Sequence, residues 1–342
     1  MASELARYAA GNARARALAA QLLGRTGLES LYTYPSEAAL VEALKRTPYA
    51  EALAGGEDPA LRLTARLAAV GRALRAWLPQ TEGAFLREFL LRHEIENLKI
   101  VIRGVHARAA WERLAPYMIP LAEMATIDPR ELTRSTDLTD LVSRLAASRY
   151  GAAANSARHR LESGGPFALE VALEIDHYER LWAAADTLHP TDAARARQIL
   201  GVLYDILNLQ WVAHYRDVWR LSPEEILNYT LRQGRWVTLE VRRRLAEDRA
   251  GGWQQALAVT PYAEVAATIE ANGFDAAAPA LWRFFGEQIQ RGLSGYPFHI
   301  GVPLGVMVMQ EIEIRDVRVL LAAKRMQVPV AETLSHVASV RH

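Results

Sequence analysis

Three stretches of this sequence repeat one arrangement of polar side chains: Glu94-Ile-Glu-Asn97-Leu-Lys99, Asp205-Ile-Leu-Asn208-Leu-Gln210 and Glu313-Ile-Arg-Asp316-Val-Arg318. Each sets an acid three residues before an Asn or Asp, and positions three apart share a helix face. Ile95 and Leu98, with their counterparts, form an apolar ridge beside the polar pair. Two uses fit this pattern. Either the pairs tie helices together inside a helical unit, or one polar face lines a central surface that receives a partner. Glu94, Asn97, Lys99, Asp205, Asn208, Glu313, Asp316 and Arg318 are therefore the candidate site residues.

Catalytic constellations are harder to assemble. Glu174-Ile-Asp-His177 matches half of a di-iron helix motif, but such sites need a second Glu-x-x-His and two more glutamates. The pairing reads better as a surface salt link. His93-Glu94 lacks the second histidine of a zinc helix. No phosphate-binding Gly-x-x-x-x-Gly-Lys-Ser/Thr and no dinucleotide-binding Gly-x-Gly-x-x-Gly occurs. Asp137 and Asp140 sit beside a helix start, where capping explains them. The reading is of a chain with no catalytic residues, no cofactor and no metal. A metal-dependent helical enzyme and an unrelated helical-repeat scaffold stand as alternatives.

The elements that must position the polar pairs are helices. Ala, Leu, Arg and Glu dominate, and these favour helix. Ser36 before Glu37, Asp58-Pro59, and Ser222-Pro223-Glu224-Glu225 are start signals. Thr191 opens a helix running to about Arg220. The longest helices are expected over 81–110, 192–220 and 303–327, each about 40 Å at 1.5 Å per residue. Gly164-Gly165-Pro166 and Gly251-Gly252 read as breaks, and Gly292 to Gly301 as a loop.

A second motif recurs in step with the first. Leu44-Lys-Arg-Thr47-Pro-Tyr49, Leu145-Ala-Ala-Ser148-Arg-Tyr150 and Leu257-Ala-Val-Thr260-Pro-Tyr262 share a leucine, a hydroxyl three later and a tyrosine two beyond. The two motifs alternate three times, which predicts an all-α fold of three related units, 1–116, 117–222 and 223–342. The hydroxyl suits a helix terminus or ST-turn. The ring is expected to pack inward with its hydroxyl near water or a partner.

Composition narrows the classes. The 342 residues carry 40 basic and 39 acidic side chains, a formal charge of +1, which argues against a nucleic-acid partner. There is no cysteine, so disulfides and thiolate metal sites are excluded. No apolar run reaches membrane-spanning length, and the first residues lack a signal peptide's apolar core. The expectation is a soluble polypeptide that reaches any membrane through another protein.

These residues also carry a resemblance. Tyr8 with Asn12-Ala-Arg14-Ala-Arg16-Ala-Leu18 resembles the opening of the C-subunit family of the V-type (V/A-type) ATP synthases, whose eukaryotic equivalent is the d subunit. Thr47-Pro-Tyr49, then Phe89-Leu-Leu-Arg-His-Glu94-Ile-Glu-Asn97-Leu-Lys99 with Arg103, continue it. Glu311-Ile-Glu313-Ile-Arg-Asp316-Val-Arg318 with Lys324 resembles its C-terminal helix. Asp316 departs from an expected asparagine, Val306-Met-Val-Met-Gln310 from a more polar run, and the middle copy has Ser148-Arg149 and Gln210. The resemblance implies three helical-bundle domains in a pseudo-threefold funnel. It implies a non-catalytic central-stalk rotor piece, peripheral on the cytoplasmic face of the membrane. Its partners would be the D and F subunits of the central shaft and the membrane proteolipid (c/K/L) ring. Torque would pass through it in ATP-linked proton or sodium ion transport. Met307 and Met309, beside Tyr296 and Phe298, are candidate contact material or core.

Overall fold

The computed structural model describes residues 2–54, 58–247, 251–293 and 295–339. Among them every regular element is a helix and none is a strand, so the fold is all-α. Two compact units are present: residues 44–187, and residues 1–43 together with 188–342.

In the 44–187 unit, Asp58 caps the helix Pro59–Arg62 by accepting from the Ala60 N–H at 2.9 Å. Helix Thr64–Arg75 follows, and Pro79 stands at the N-terminal border of Gln80–Leu90. The helix expected over 81–110 is two segments, Gln80–Leu90 and Arg92–His106. They meet at Leu91, whose N–H is shared between the carbonyls of Arg87 and Glu88, a local tightening of the turn. Helix Leu161–Asp186 is bent at Gly165, which takes φ 52° and ψ −141°. That is the Gly164-Gly165-Pro166 break: only glycine takes this backbone without strain. The core forms where Ile95, Leu98, Ile102 and Val105, on one face of Arg92–His106, meet Leu141, Leu145, Leu169 and Leu173.

In the other unit the long elements are Pro190–Asp217, of 28 residues, and Gly301–Met326, of 26. His189 precedes the first of these and Pro190 opens it, one residue before the expected Thr191. Ser222 and Glu225 form the expected capping box, with Glu225 N–H to Ser222 Oγ at 3.3 Å and Ser222 N–H to Glu225 Oε2 at 2.9 Å. Helices Ala2–Ala19 and Phe274–Leu293 pack against Gly301–Met326. Gly251 takes a left-handed conformation before Gly252–Leu257. The expected 292–301 loop begins later, since helix runs through Leu293; Ser294 lies outside the described residues. Met307 and Met309 are buried in the unbroken apolar run that opens Gly301–Met326, so they are core and not contact surface. Tyr296 is 52% exposed, edge-on to Phe298.

The three motif helices end alike. Arg108, Arg220 and Gln327, each just past its helix, take φ of 52°, 54° and 57°. After Arg92–His106 the Ala109 N–H reaches back to the Gly104 carbonyl, and after Gly301–Met326 the Val328 N–H reaches the Ala323 carbonyl. This is the left-handed C-terminal stop usually made by glycine.

Candidate functional site

Glu94 is buried on the first motif helix, and a carboxylate there must find donors to offset its lost hydration. It accepts from the Thr126 N–H and hydroxyl, each at 2.5 Å, from the Ile127 N–H at 3.3 Å, and from the Tyr150 hydroxyl at 2.5 Å. One turn along, Asn97 makes a reciprocal pair with the backbone of Ile119: the Ile119 N–H donates to Oδ1 at 2.7 Å and Nδ2 donates to the Ile119 carbonyl at 2.9 Å. The acid and the amide therefore hold a returning loop at two points.

The second motif repeats the device. Asp205, fully buried, accepts from the N–H groups of Arg235, Trp236 and Val237, each at 2.9 Å, and from the Tyr262 hydroxyl at 2.9 Å. Asn208 brackets Leu231, accepting from its N–H at 2.8 Å and donating to its carbonyl at 3.1 Å. The loop comes close enough that a Cβ at Gly234 would stand 2.6 Å from Asp205 Oδ1, which only glycine avoids. Burial raises the Asp205 carboxyl to about 6, against the pull of the Val237, Trp236, Tyr262 and Arg235 donors. The Tyr262 and Tyr150 hydroxyls are driven well above the ordinary phenol range by burial and by the acids they face.

At the third motif the loop partners are divided. Glu313 accepts from the N–H of Gly24, at the start of helix Gly24–Tyr32, at 3.0 Å. Gly24 takes φ 60°. Asp316 accepts from the Ala338 N–H at 2.8 Å, the Ser339 N–H at 2.7 Å and the Ser339 hydroxyl. Here the departure from asparagine has a geometric reason. Asn97 faces one N–H and one carbonyl, and Asn208 one N–H and two carbonyls, so each site needs a donor and an acceptor. Asp316 faces donors only, which suits a carboxylate. Burial pushes the Asp316 carboxyl upward, opposed by those bonds.

The tyrosine motif is one local structure used three times. Thr47, Ser148 and Thr260 donate to the carbonyls of Leu44, Leu145 and Leu257 at 2.6, 2.7 and 2.8 Å. They accept from the N–H of Tyr49, Tyr150 and Tyr262 at 3.3, 3.1 and 3.2 Å. All three rings are buried. The hydroxyls of Tyr150 and Tyr262 end on buried acids rather than near water, and each acid belongs to the preceding copy of the repeat. In the middle copy Arg149 replaces proline, and its guanidinium meets Glu88 at 2.5 Å while its carbonyl accepts from Arg180 at 2.5 Å.

A family profile described as ATP synthase (C/AC39) subunit matches residues 11–336. The chain belongs to that family. The C subunit of the A-type ATP synthase of Methanocaldococcus jannaschii is 24% identical over 346 residues, covering 95% of this chain and 84% of the relative.

The remaining candidates in this C/AC39 protein lie nearer the surface. Lys99 joins Glu96 at 3.0 Å and Glu174 at 3.5 Å, while Arg103 holds Glu170 at 2.6 Å. Arg318 is half-buried. Burial raises Glu174 to about 7, with Lys99 pulling the other way. Glu174 and His177 are not the surface link expected from their spacing. His177 is 1% exposed, and burial with the charges of Arg149, Arg92 and Arg180 pushes its ring down to about 3. Among the described residues no three His, Asp or Glu side chains converge as metal ligands would. No described helix is long and apolar enough to cross a membrane. The loop partners Thr126, Ser339 and Gly24 were not legible as site residues. The carboxylates bind mostly backbone N–H groups, which leave no side-chain signature.

Proposed function

We propose that this C/AC39 protein is a non-catalytic coupling piece of a rotary V/A-type ATP synthase. In this reading three repeat units, 1–116, 117–222 and 223–342, form a pseudo-threefold funnel. The funnel sits on the cytoplasmic end of the proteolipid ring and receives the foot of the shaft formed by the D and F subunits. Torque passes through it in ATP-linked proton or sodium ion transport, and no bond chemistry occurs in it.

One observation carries the reading: a buried polar pair at the same spacing recurs on three helices and binds backbone distant in sequence each time, an acid with an amide in the first two copies and two acids in the third. A transmitter of torque must resist bending and slippage. Helices fixed to their loops by charge-assisted bonds inside a low-dielectric core meet that demand. The same burial removes these acids from any role as an exposed reactive pair. A joint of this kind needs large interfaces, above about 2,000 Å² for an obligate contact. Affinity capture of the tagged full chain from native membranes in mild detergent tests the proposal. Recovery of the shaft proteins and the proteolipid is expected. Recovery of neither, with the rest of the ATP synthase present in the same extract, defeats it.

A further inference from the structure

Within the 44–187 unit, helices 92–106 and 161–186 pack against one another, and a cluster of charged side chains gathers at the contact. Lys99 and Arg103, one turn apart on the first helix, face Glu174 and Glu170, one turn apart on the second, so the ion pairs form two rungs. The Arg103 rung is tight: the guanidinium holds both oxygens of Glu170, at 2.8 and 2.6 Å. The Lys99 rung is loose. Lys99 lies 3.5 Å from Glu174 Oε1 and also serves Glu96, at 3.0 Å.

Three carboxylates therefore share two cations. The side chains of Glu170, Glu174 and Lys99 are only 10%, 13% and 18% exposed, so water screens the surplus negative charge poorly. The other elements packed against helix 161–186 do not correct the balance. On helix 80–90, Glu88 meets Arg149, Arg87 donates to the Met124 carbonyl at 3.0 Å, and Glu82 stands well before both. On helix 138–145, Asp140 pairs with Arg144 at 3.1 Å. Arg158 donates to the Ser143 hydroxyl at 2.9 Å, His159 and Arg160 are exposed, and helix 151–157 carries no titratable side chain. The charges acting on Glu174 are those of Lys99, Glu96 and Glu170. Burial raises its carboxyl to about 7; Lys99 pulls it down, and the two glutamates add to the rise.

We propose that Glu174 is a proton-operated clasp between helices 92–106 and 161–186. Neutral, it leaves Lys99 wholly to Glu96 and removes the repulsion from Glu170, and the helices hold together. Ionised, it restores the surplus charge, and the contact opens more readily. A change of tilt is taken up at Gly165, where helix 161–186 already bends. The folded-state pKa stands above the unfolded value of about 4.3, so the proton-linked stability is full below that value. It is lost as pH rises through about 7. This device goes beyond the coupling role and does not depend on it.

Amide hydrogen exchange of the full chain, corrected for the intrinsic rate at each pH, tests the clasp on helix 161–186. With a folded-state pKa of about 7, the Glu174 contribution to protection should fall about tenfold between pH 6 and pH 8. Glu174→Gln copies the neutral acid. It should match the wild type near pH 6 and exceed its protection about tenfold at pH 8. A carboxyl-carbon NMR titration of the wild type reads the same proton without any variant, and the Glu174 resonance should shift with a midpoint near 7. A midpoint at the ordinary carboxylate value of about 4.3 overturns the proposal. So does a ratio of variant to wild-type protection that is the same at both pH values.

Discussion

Replacing Asn208 by aspartate exchanges one NH2 group for an oxygen at the second anchor. Asn208 is fully buried, and its Nδ2 lies 3.1 Å from the Leu231 carbonyl and 3.4 Å from that of Gln233. An ionised aspartate would turn an oxygen toward both carbonyls and leave them without this donor. The unmade bond costs about 1–3 kcal/mol, and the buried charge adds to it. Asp205, one turn back and itself acidic, adds like-charge repulsion. Protonation removes the charge and its repulsion and restores the closer bond, because a carboxylic O–H can donate to the Leu231 carbonyl as the amide did, leaving only the longer contact to Gln233 unmade. The folded-state pKa of the introduced carboxyl is therefore raised above the unfolded value of about 3.9.

The sign follows from linkage. Between the unfolded and folded pKa values the folded chain holds a proton that the unfolded chain has released, so stability falls as pH rises through that window and is level above it. A rise of two to three units corresponds to about 3–4 kcal/mol at pH 8. Asn208→Asp should thus lie close to the wild type near pH 4 and about 3–4 kcal/mol below it near pH 8. Urea unfolding followed by circular dichroism, with both proteins compared at each pH, reads this directly. Asn208→Ala serves as the control, with a loss nearly independent of pH. A loss in Asn208→Asp that is flat across pH, or absent at pH 8, would refute the account of the anchor.

The converse exchange, Asp316→Asn, turns an NH2 toward the donors at Ala338 or Ser339 and should cost about 1–3 kcal/mol in urea unfolding, with at most a weak pH dependence in the opposite sense. Tyr262→Phe removes a donor from Asp205, so the Asp205 carboxyl should titrate above its value of about 6 in a carboxyl-carbon NMR titration. Its stability loss of about 1.5–3 kcal/mol should be full at pH 8 and smaller at pH 5, where the acid is largely protonated in the fold. Lys99→Met strips Glu174 of its cation and should lift that carboxyl above about 7. Its destabilisation therefore grows as pH rises through neutrality, and urea midpoints that shift equally at pH 6 and pH 8 would contradict this.

The sequence by itself determined the helical class, the caps at Asp58 and Ser222, the hydroxyl-tyrosine turns and the helix positions of the polar pairs. Each of these is local: a capping oxygen or a hydroxyl three residues from a leucine finds its partner within one turn of chain. What the acids hold was decided only in the tertiary structure. Glu94 reaches Tyr150 across 56 residues, Asp205 reaches Tyr262 across 57, and Glu313 reaches Gly24 across 289. Most donors there are backbone N–H groups, which every residue but proline carries, so no pattern of side chains announces them. The left-handed stops at Arg108, Arg220 and Gln327 were equally silent, because residue types that rarely adopt that backbone occupy them. Asp316 shows the division most plainly. Read along the chain it is a lapse from asparagine, and in the fold it is the residue type that two N–H groups and a hydroxyl require.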